Sequence, residues 1–526
     1  RNPGTILKQY LPVIIAALLT SVSRLPLHMG WLVFFALIPM FYFFETGPRK
    51  ASQLLFAAVL YSAFYIPLLL YWITLVTPVG LVGIFFVYSW YFFIVFYVTE
   101  QIWHYLPRLK YLGFILVMLS LEYIQNYGEM RFPWLNLGYS LADFTILLQI
   151  TDTIGVVGLS GLILIIACLL YLAFKARFTR ASYLYLGSIG IIFAIWIGYG
   201  WWCLKHLPLQ QKDSRIMVMQ PSIEQDDKWD AAYFRQIMSI YTELTARAAE
   251  DSASILIWPE AAMPTYLMHY PDHKDFVQNL ADRWHLDIFT GFPDYTQAPE
   301  NHVNSEYYYN AAALFKPKSE MSELYYKIVL VPIGERMLWL DMFPFMWDLQ
   351  FGQANWEFGT EIRYYRSGGN RFSPSICYEI AFADLNHKMA IGFDYDTEKW
   401  AKSDYLVNIT NDAWFGTSYG PWLHGVFTKY RAIENRIQIY RSANTGISMI
   451  VDPLGRVISQ AGLFERTNIT AHLYVTDKIP PIRRFYMYPI LIVMMTAVLF
   501  ILATIKKKQQ SSADSISSDK LSDESR

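Results

Sequence analysis

The chain has 526 residues, a formal net charge of -1, and 54% hydrophobic residues against 17% charged. That length exceeds one ordinary domain, the apolar fraction is too high for a wholly water-soluble protein of this size, and the near-zero charge supplies no basic field to draw nucleic acid. Cys168, Cys203 and Cys377 form no CxxC pair, so neither a disulfide framework nor a zinc site is indicated.

Uninterrupted apolar stretches lie at 8–23, 29–44, 53–76, 80–99, 111–126, 156–174, 182–204 and 486–505. A crossing helix needs about 20 such residues. About eight spans are therefore expected, seven within residues 1–206 and one at 485–505. The first, second and fifth stretches are short, which leaves a re-entrant pair or buried helices as the other reading. Arg49 and Lys50 follow the second stretch, Arg108 and Lys110 the fourth, Lys175, Arg177 and Arg180 the sixth, and Lys506 to Lys508 the eighth. All lie on one side, and basic loops stay in the cytoplasm. Residues 207–484 then face away from the cytoplasm, and the polar end at 506–526 is expected to be a disordered cytoplasmic tail. Glu122, near the outer end of the fifth stretch, is either a functional intramembrane acid or an interfacial group.

Within 207–484, short β-branched or aromatic runs at 216–220, 255–258, 288–291, 308–315, 405–409 and 447–451 read as strands. Stretches with helical spacing, such as 232–250 and 274–284, fall between them, which is an α/β pattern. Glu260 closes the run Ile255-Leu256-Ile257-Trp258-Pro259, where a strand opens into a loop and a partly desolvated carboxylate suits proton transfer. Lys327 sits between Tyr325-Tyr326 and Ile328-Val329-Leu330, either snorkelling or holding a negative charge. Cys377 is the one cysteine among polar neighbours, in Ser375-Ile376-Cys377-Tyr378-Glu379; the other two lie in apolar runs and read as small hydrophobes.

Glu260, Lys327 and Cys377, in that order on successive strand ends, resemble the Glu-Lys-Cys constellation of the nitrilase superfamily. The flanking text matches too: Trp258-Pro259-Glu260, Tyr326-Lys327-Ile328, Ile376-Cys377-Tyr378-Glu379, and the stretches at 408–416 and 441–446. With the apolar spans and with Phe132-Pro133-Trp134-Leu135 and Gly138-Tyr139-Ser140 between the fifth and sixth, the full length resembles the apolipoprotein N-acyltransferase family of bacterial inner-membrane enzymes. The chain departs from the family at Gln220 to Gln225, at Arg131 before Phe132, and by an insertion near Asp394 to Lys402.

The resemblance implies a multi-pass helical membrane domain joined to an α-β-β-α sandwich. It implies a membrane phospholipid as acyl donor, phosphatidylethanolamine by preference, and a diacylglyceryl apolipoprotein as acceptor. A thioester on Cys377 would link the two half-reactions, with Glu260 as general base and Lys327 as oxyanion stabiliser. Glu335 would position Lys327, while Tyr378 and Glu379 would wall the nucleophile. Neither metal nor cofactor is implied, and a monomer is expected. Asn411 and Asp412 read as turn formers. The aromatic stretch at 338–347 is either buried core or an interfacial arm over the site, and its interruption by Asp341 and Pro344 favours the arm. Trp229, Trp339, Phe343 and Trp347 are the expected substrate contacts, with Phe132 and Trp134 at the same portal. The runner-up function is a membrane-tethered nitrilase-type amidase, in which water attacks the thioester. A non-catalytic transporter or scaffold would leave the three ordered motifs as coincidence.

Overall fold

The computed structural model describes residues 3–230, 232–300, 305–348, 354–394 and 398–523. Its first part is a helical bundle: α1 (Pro3–Val22), α2 (Ala51–Leu70), α3 (Pro78–Tyr105), α4 (Lys110–Ile124), α5 (Thr151–Ala176) and α6 (Arg180–His206), joined by the C-terminal helix Pro489–Asp523. Five helices among the described residues are long and apolar enough to cross a membrane, in α2, α3, α5, α6 and Pro489–Ala513. The remaining apolar stretches form shorter elements. The second is broken into Gly30–Leu32, Val33–Ala36 and Ile38–Glu45, because Pro39 has no N–H to continue the ladder and its ring crowds the preceding turn. α4 has 15 residues, about 22 Å of helix against a hydrocarbon layer of about 30 Å. The third stretch ends as a helix at Leu70, and a separate turn covers Ile73–Val76.

The basic clusters gather at one end of the bundle. Glu45 accepts Lys110 at 2.6 Å and Lys175 at 2.5 Å. The Arg49 main chain donates to Glu100, and Lys507 donates to neighbouring Gln101 at 3.0 Å. At this end helix continues past 506 to Asp523, since the apolar turns have already nucleated it and each added residue then gains a hydrogen bond.

The α/β part comprises strands β1 (Gln210–Gln220), β2 (Ile255–Ile257), β3 (Asp287–Gln297), β4 (Glu306–Phe315), β5 (Tyr325–Tyr326), β6 (Tyr365–Ser367), β7 (Asn370–Ile376), β8 (Ile391–Asp394), β9 (Lys399–Lys402), β10 (Tyr405–Thr410), β11 (Gln438–Ala443), β12 (Met449–Val451), β13 (Val457–Gln460) and β14 (Thr467–Val475). Two six-stranded sheets run β14-β1-β2-β3-β4-β5 and β13-β12-β11-β10-β7-β6. The insertion near Asp394 forms the antiparallel pair β8–β9, and residues 395–397 between them lie outside the described residues.

Alternation along β1 shows how the layers form. Ile216 and Val218 enter the core between the sheets with Phe289, Phe372 and Tyr405, while Met217 and Met219 face the opposite way. There they meet α8 (Phe234–Glu250) and α9 (Pro271–Trp284); α7 (Gln225–Lys228) precedes them as a single turn. In α8 the buried positions Ile237, Ile240, Tyr241, Leu244 and Ala248 fall at helical spacing on one face. On the far side lie α10 (Ala383–Ala390) and α11 (Gly420–Asn435). The result is an α-β-β-α sandwich. Its inter-sheet core is continuous with the bundle, because Phe427 and Tyr430 of α11 pack on Tyr139 of the loop between α4 and α5.

Candidate active site

Three strand ends deliver the three expected side chains. β2 stops at Ile257, Trp258 still donates to Phe289 across the sheet at 2.8 Å, and the chain then turns away at Ala261, where φ is 46°. Glu260 is thereby left buried at the edge. Its Oε1 accepts Asn310 Nδ2 at 2.6 Å, and its Oε2 accepts the Asn411 N–H at 2.8 Å. Lys327 follows β5, kept in register by its own N–H to the Asn310 carbonyl at 2.9 Å. Its fully buried Nζ lies 3.6 Å from Glu260 Oε1 and donates to Glu335 Oε1 at 2.7 Å. Cys377 follows β7 on a sharp turn with φ 52° and is the most accessible of the three, half-buried rather than buried.

Burial drives the Cys377 thiol well above its ordinary pKa; Glu260 adds to the rise and Lys327 opposes it. For Lys327, burial pulls the ammonium down, but the charges of Glu335 and Glu260 outweigh it and hold the pKa above its ordinary value. Burial likewise raises the Glu335 carboxyl against the pull of Lys327. The resting arrangement is thus a neutral thiol beside a carboxylate and a fixed cation. Such a set can move a proton from sulfur to carboxylate and hold the resulting negative charge against an ammonium.

Glu379 joins two of the three strand ends. Its Oε1 accepts the N–H groups of Ile328 at 2.6 Å and Val329 at 3.0 Å, just after Lys327. Its Oε2 accepts the Ile376 N–H at 2.7 Å, just before Cys377, and the Tyr325 hydroxyl at 2.7 Å. Tyr378 donates to the Arg131 carbonyl at 2.6 Å and so fastens the nucleophile's turn to the bundle's outer loop. Because only the main chain of Arg131 is used, the departure there leaves this contact intact.

The sequence reading passed over a second polar group. Asp412, read as a turn former, takes Arg441 at 2.7 Å on one oxygen, and Thr410 and His424 at 2.9 Å on the other. Burial would raise its carboxyl, but Arg441 and His424 hold it well below the usual range. His424 Nε2 in turn meets the Cys377 carbonyl at 3.2 Å, as does Asn408 Nδ2 at 3.3 Å. Cys377, Asp412 and His424 bring potential metal-ligand atoms within 4.8 Å of one another. The carboxylate and imidazole are already committed to protein partners, so the group acts as a brace for the nucleophile's turn. Asn310 and Asn411 were also missed as partners of Glu260; the stretch at 408–416 was the available signal.

The expected substrate contacts divide. Trp229 is 51% exposed, Trp339 38% and Phe343 42%, with Met342 and Phe345 exposed beside them. Trp347 lies under the Arg336 guanidinium at 5.9 Å. Met337 and Leu340 of the same stretch are buried, so it is anchored core at its start and presents aromatic surface beyond. Phe132 stacks on Trp134 and lies 6.3 Å from Tyr378. Trp134 is corrected as a portal residue: it is 2% exposed, wedged among Trp72, His424 and Phe427. Glu122 accepts the Leu137 N–H at 2.8 Å, bracing the outer loop from within the bundle.

Sandwich and strand-end constellation together define a membrane-held domain of the nitrilase type. Residues 215–477 match the carbon-nitrogen hydrolase family, and residues 16–169 match the apolipoprotein N-acyltransferase N-terminal domain. Among solved structures, an amidase from Nesterenkonia is similar at 17% identity and a TM-score of 0.39, covering 54% of this chain and 97% of its own. The apolipoprotein N-acyltransferase of Rickettsia typhi is 30% identical over 67% of this chain and 68% of its own length. That of Geobacter metallireducens is 31% identical over 67% and 66%, and that of Chlorobaculum tepidum 29% over 86% and 87%. The chain belongs to the apolipoprotein N-acyltransferase family, and is an acyltransferase of the membrane.

Proposed function

We propose that the enzyme carries an acyl chain from a membrane phospholipid, phosphatidylethanolamine, to the free α-amine of a diacylglyceryl-modified lipoprotein through a thioester on Cys377. The observation that carries this reading is the half-exposed Cys377 on a turn fastened by Tyr378 to the outer loop of the bundle. A nucleophile held there meets substrates that remain in the bilayer. The catalytic part then lies outside the cytoplasm, opposite the basic end of the bundle, in a bacterial inner membrane.

Glu260 takes the thiol proton, and the thiolate attacks the ester carbonyl. Lys327, with a backbone N–H near Cys377, stabilises the oxyanion; losing one such donor costs about 2.7–4 kcal/mol of barrier. The ester C–O bond breaks, the proton held by Glu260 passes to the leaving lysophospholipid oxygen, and the thioester remains. In the second half the lipoprotein amine attacks the thioester, Glu260 accepts the amine proton, and sulfur leaves as thiolate and regains that proton. The order is ping-pong. Trp229, Trp339, Phe343 and Trp347 line the approach.

The test incubates purified protein with acyl-labelled phosphatidylethanolamine and looks for a hydroxylamine-sensitive adduct, then adds a diacylglyceryl peptide with a free amine. Label on the wild type, none on Cys377→Ala, and discharge into a peptide amide are expected. An adduct that persists in Cys377→Ala would sink the mechanism. Equally fast discharge by water alone would establish the amidase instead.

A further inference from the structure

Behind Glu260, on the side away from Lys327 in the hydrogen-bond chain, stands a second buried lysine. Lys228 closes α7, is 2% exposed, and donates Nζ to the main-chain carbonyl of Glu260 at 3.0 Å. That is the only hydrogen bond of the ammonium among the described residues. A neutral donor would satisfy a buried carbonyl as well, and without the cost of taking an ammonium out of water. The charge therefore calls for a reason. Glu260 and Glu335 share one cation in Lys327, so with both carboxyls ionised the site carries one negative charge in excess, and the proton that leaves Cys377 passes to Glu260. The carbonyl also belongs to the stretch where β2 has ended and Ala261 stands at φ 46°, so no strand neighbour fixes it. The next residue, Trp229, is exposed and is one of the aromatics proposed above to line the approach.

We propose that Lys228 is a positioning residue for the general base: its ammonium fixes the main chain of Glu260, offsets the second carboxylate, and ties the base to the segment that carries Trp229. This rests on the thioester reading given above. Burial brings the Lys228 ammonium down to about 8, with Glu260 opposing the fall. Glu260 faces it from the loop after β2; Lys327, Glu335 and Cys377 lie beyond that carboxylate, and Asp226 and Asp227 stand on its own turn. Cys377 and Lys327 are held far above that range, so among these three groups at the site the charge lost near pH 8 is that of Lys228.

The experiment follows labelling of Cys377 by acyl-labelled phosphatidylethanolamine in nanodiscs, as a function of pH and donor concentration, for the wild type, Lys228→Met and Lys228→Arg. Wild-type acylation should fall as pH passes about 8. Lys228→Met should acylate about tenfold or more slowly at saturating donor, with half-saturation unchanged and the basic limb gone. Lys228→Arg, always charged, should retain most of the rate and move the limb to higher pH. A Lys228→Met rate within about twofold of wild type, or an unmoved limb in Lys228→Arg, overturns the role. A wild type that takes no label overturns the thioester reading and this role with it; a labelled wild type with indifferent variants overturns this role alone.

Discussion

A cysteine at φ 52° is held against the preference of its own Cβ, at roughly 1–2 kcal/mol. The turn persists because Glu379 accepts the N–H groups on both sides of the fold, from Ile328 and Val329 beyond Lys327 and from Ile376 before Cys377. The carboxylate is costly to keep. Burial raises its pKa from 4.5 to about 6, with the Ile376 and Tyr325 hydrogen bonds opposing. A folded pKa above the unfolded one stabilises the fold below about pH 4.5 and loses that contribution as pH rises through about 6, so at neutral pH the ionised group costs about 2 kcal/mol. Glu379→Gln replaces one acceptor oxygen by a donor facing N–H groups, leaving buried partners unsatisfied at about 1–3 kcal/mol each. Acylation of Cys377 should fall about a hundredfold as the strand ends lose register. Melting followed by circular dichroism should also change less between pH 5 and 7 than in the wild type. An unaltered acylation rate would show that the four bonds do not set the site.

At the scale of elements, β5 has two residues and β7, Asn370–Ile376, is largely polar, so the strand ends that carry Lys327 and Cys377 came from the resemblance, and only β2, an apolar run that opens on Glu260, was legible from its own residues. What completes the site was not, since Asn310, His424 and Arg441 come from distant parts of the chain and only the fold brings them together. Helix length was not legible either: composition reports apolarity, while Pro39 and the 15 residues of α4 set how far helix extends. α5 hides another break. Gly155 has φ 61° and ψ -179°, outside helix, and this frees the Val156 N–H to donate to Glu434 Oε1 of α11 at 3.0 Å. A Cβ on Gly155 would meet nothing nearer than 3.5 Å, so Gly155→Ala tests backbone strain without a clash. It should destabilise the protein by about 1–3 kcal/mol, read as a lower melting temperature in detergent. Glu434→Gln keeps an acceptor for Val156 but removes the charge that faces buried Arg431 at 3.2 Å, so it should lose more, about 3–5 kcal/mol. If Gly155→Ala melts as the wild type does, the break is not enforced by backbone preference.

For the whole molecule, the question is how the α-β-β-α sandwich is fixed to the helical bundle. The docking adds buried polar bonds to the apolar packing of Phe427 and Tyr430 on the outer loop. Tyr430 donates to the Gly138 carbonyl at 2.6 Å, and Lys429 to that of Ala142 at 3.2 Å. Arg436, just past α11 and 1% exposed, donates to Asp152 at 2.6 and 3.0 Å, to Gln149 Oε1 at 2.7 Å, and to the Pro453 carbonyl at 3.2 Å. Asp152 lies in the first turn of α5, where a carboxylate also meets the positive end of the helix. One guanidinium thus spans the membrane bundle and both ends of the β11–β12 region. Arg436→Met would strand Asp152 as an uncompensated buried charge, at about 3–5 kcal/mol. The matched pair Arg436→Met with Asp152→Leu removes both charges and should recover much of that loss. Restored packing without the bonds still leaves the sandwich free to rock on the bundle. The double variant should therefore melt near the wild type yet acylate Cys377 more slowly from phospholipid in nanodiscs, while reacting normally with a small thiol reagent. Wild-type acylation in the double variant would mean that the orientation of the sandwich is set elsewhere, by Tyr378 on the outer loop and Glu434 on α5.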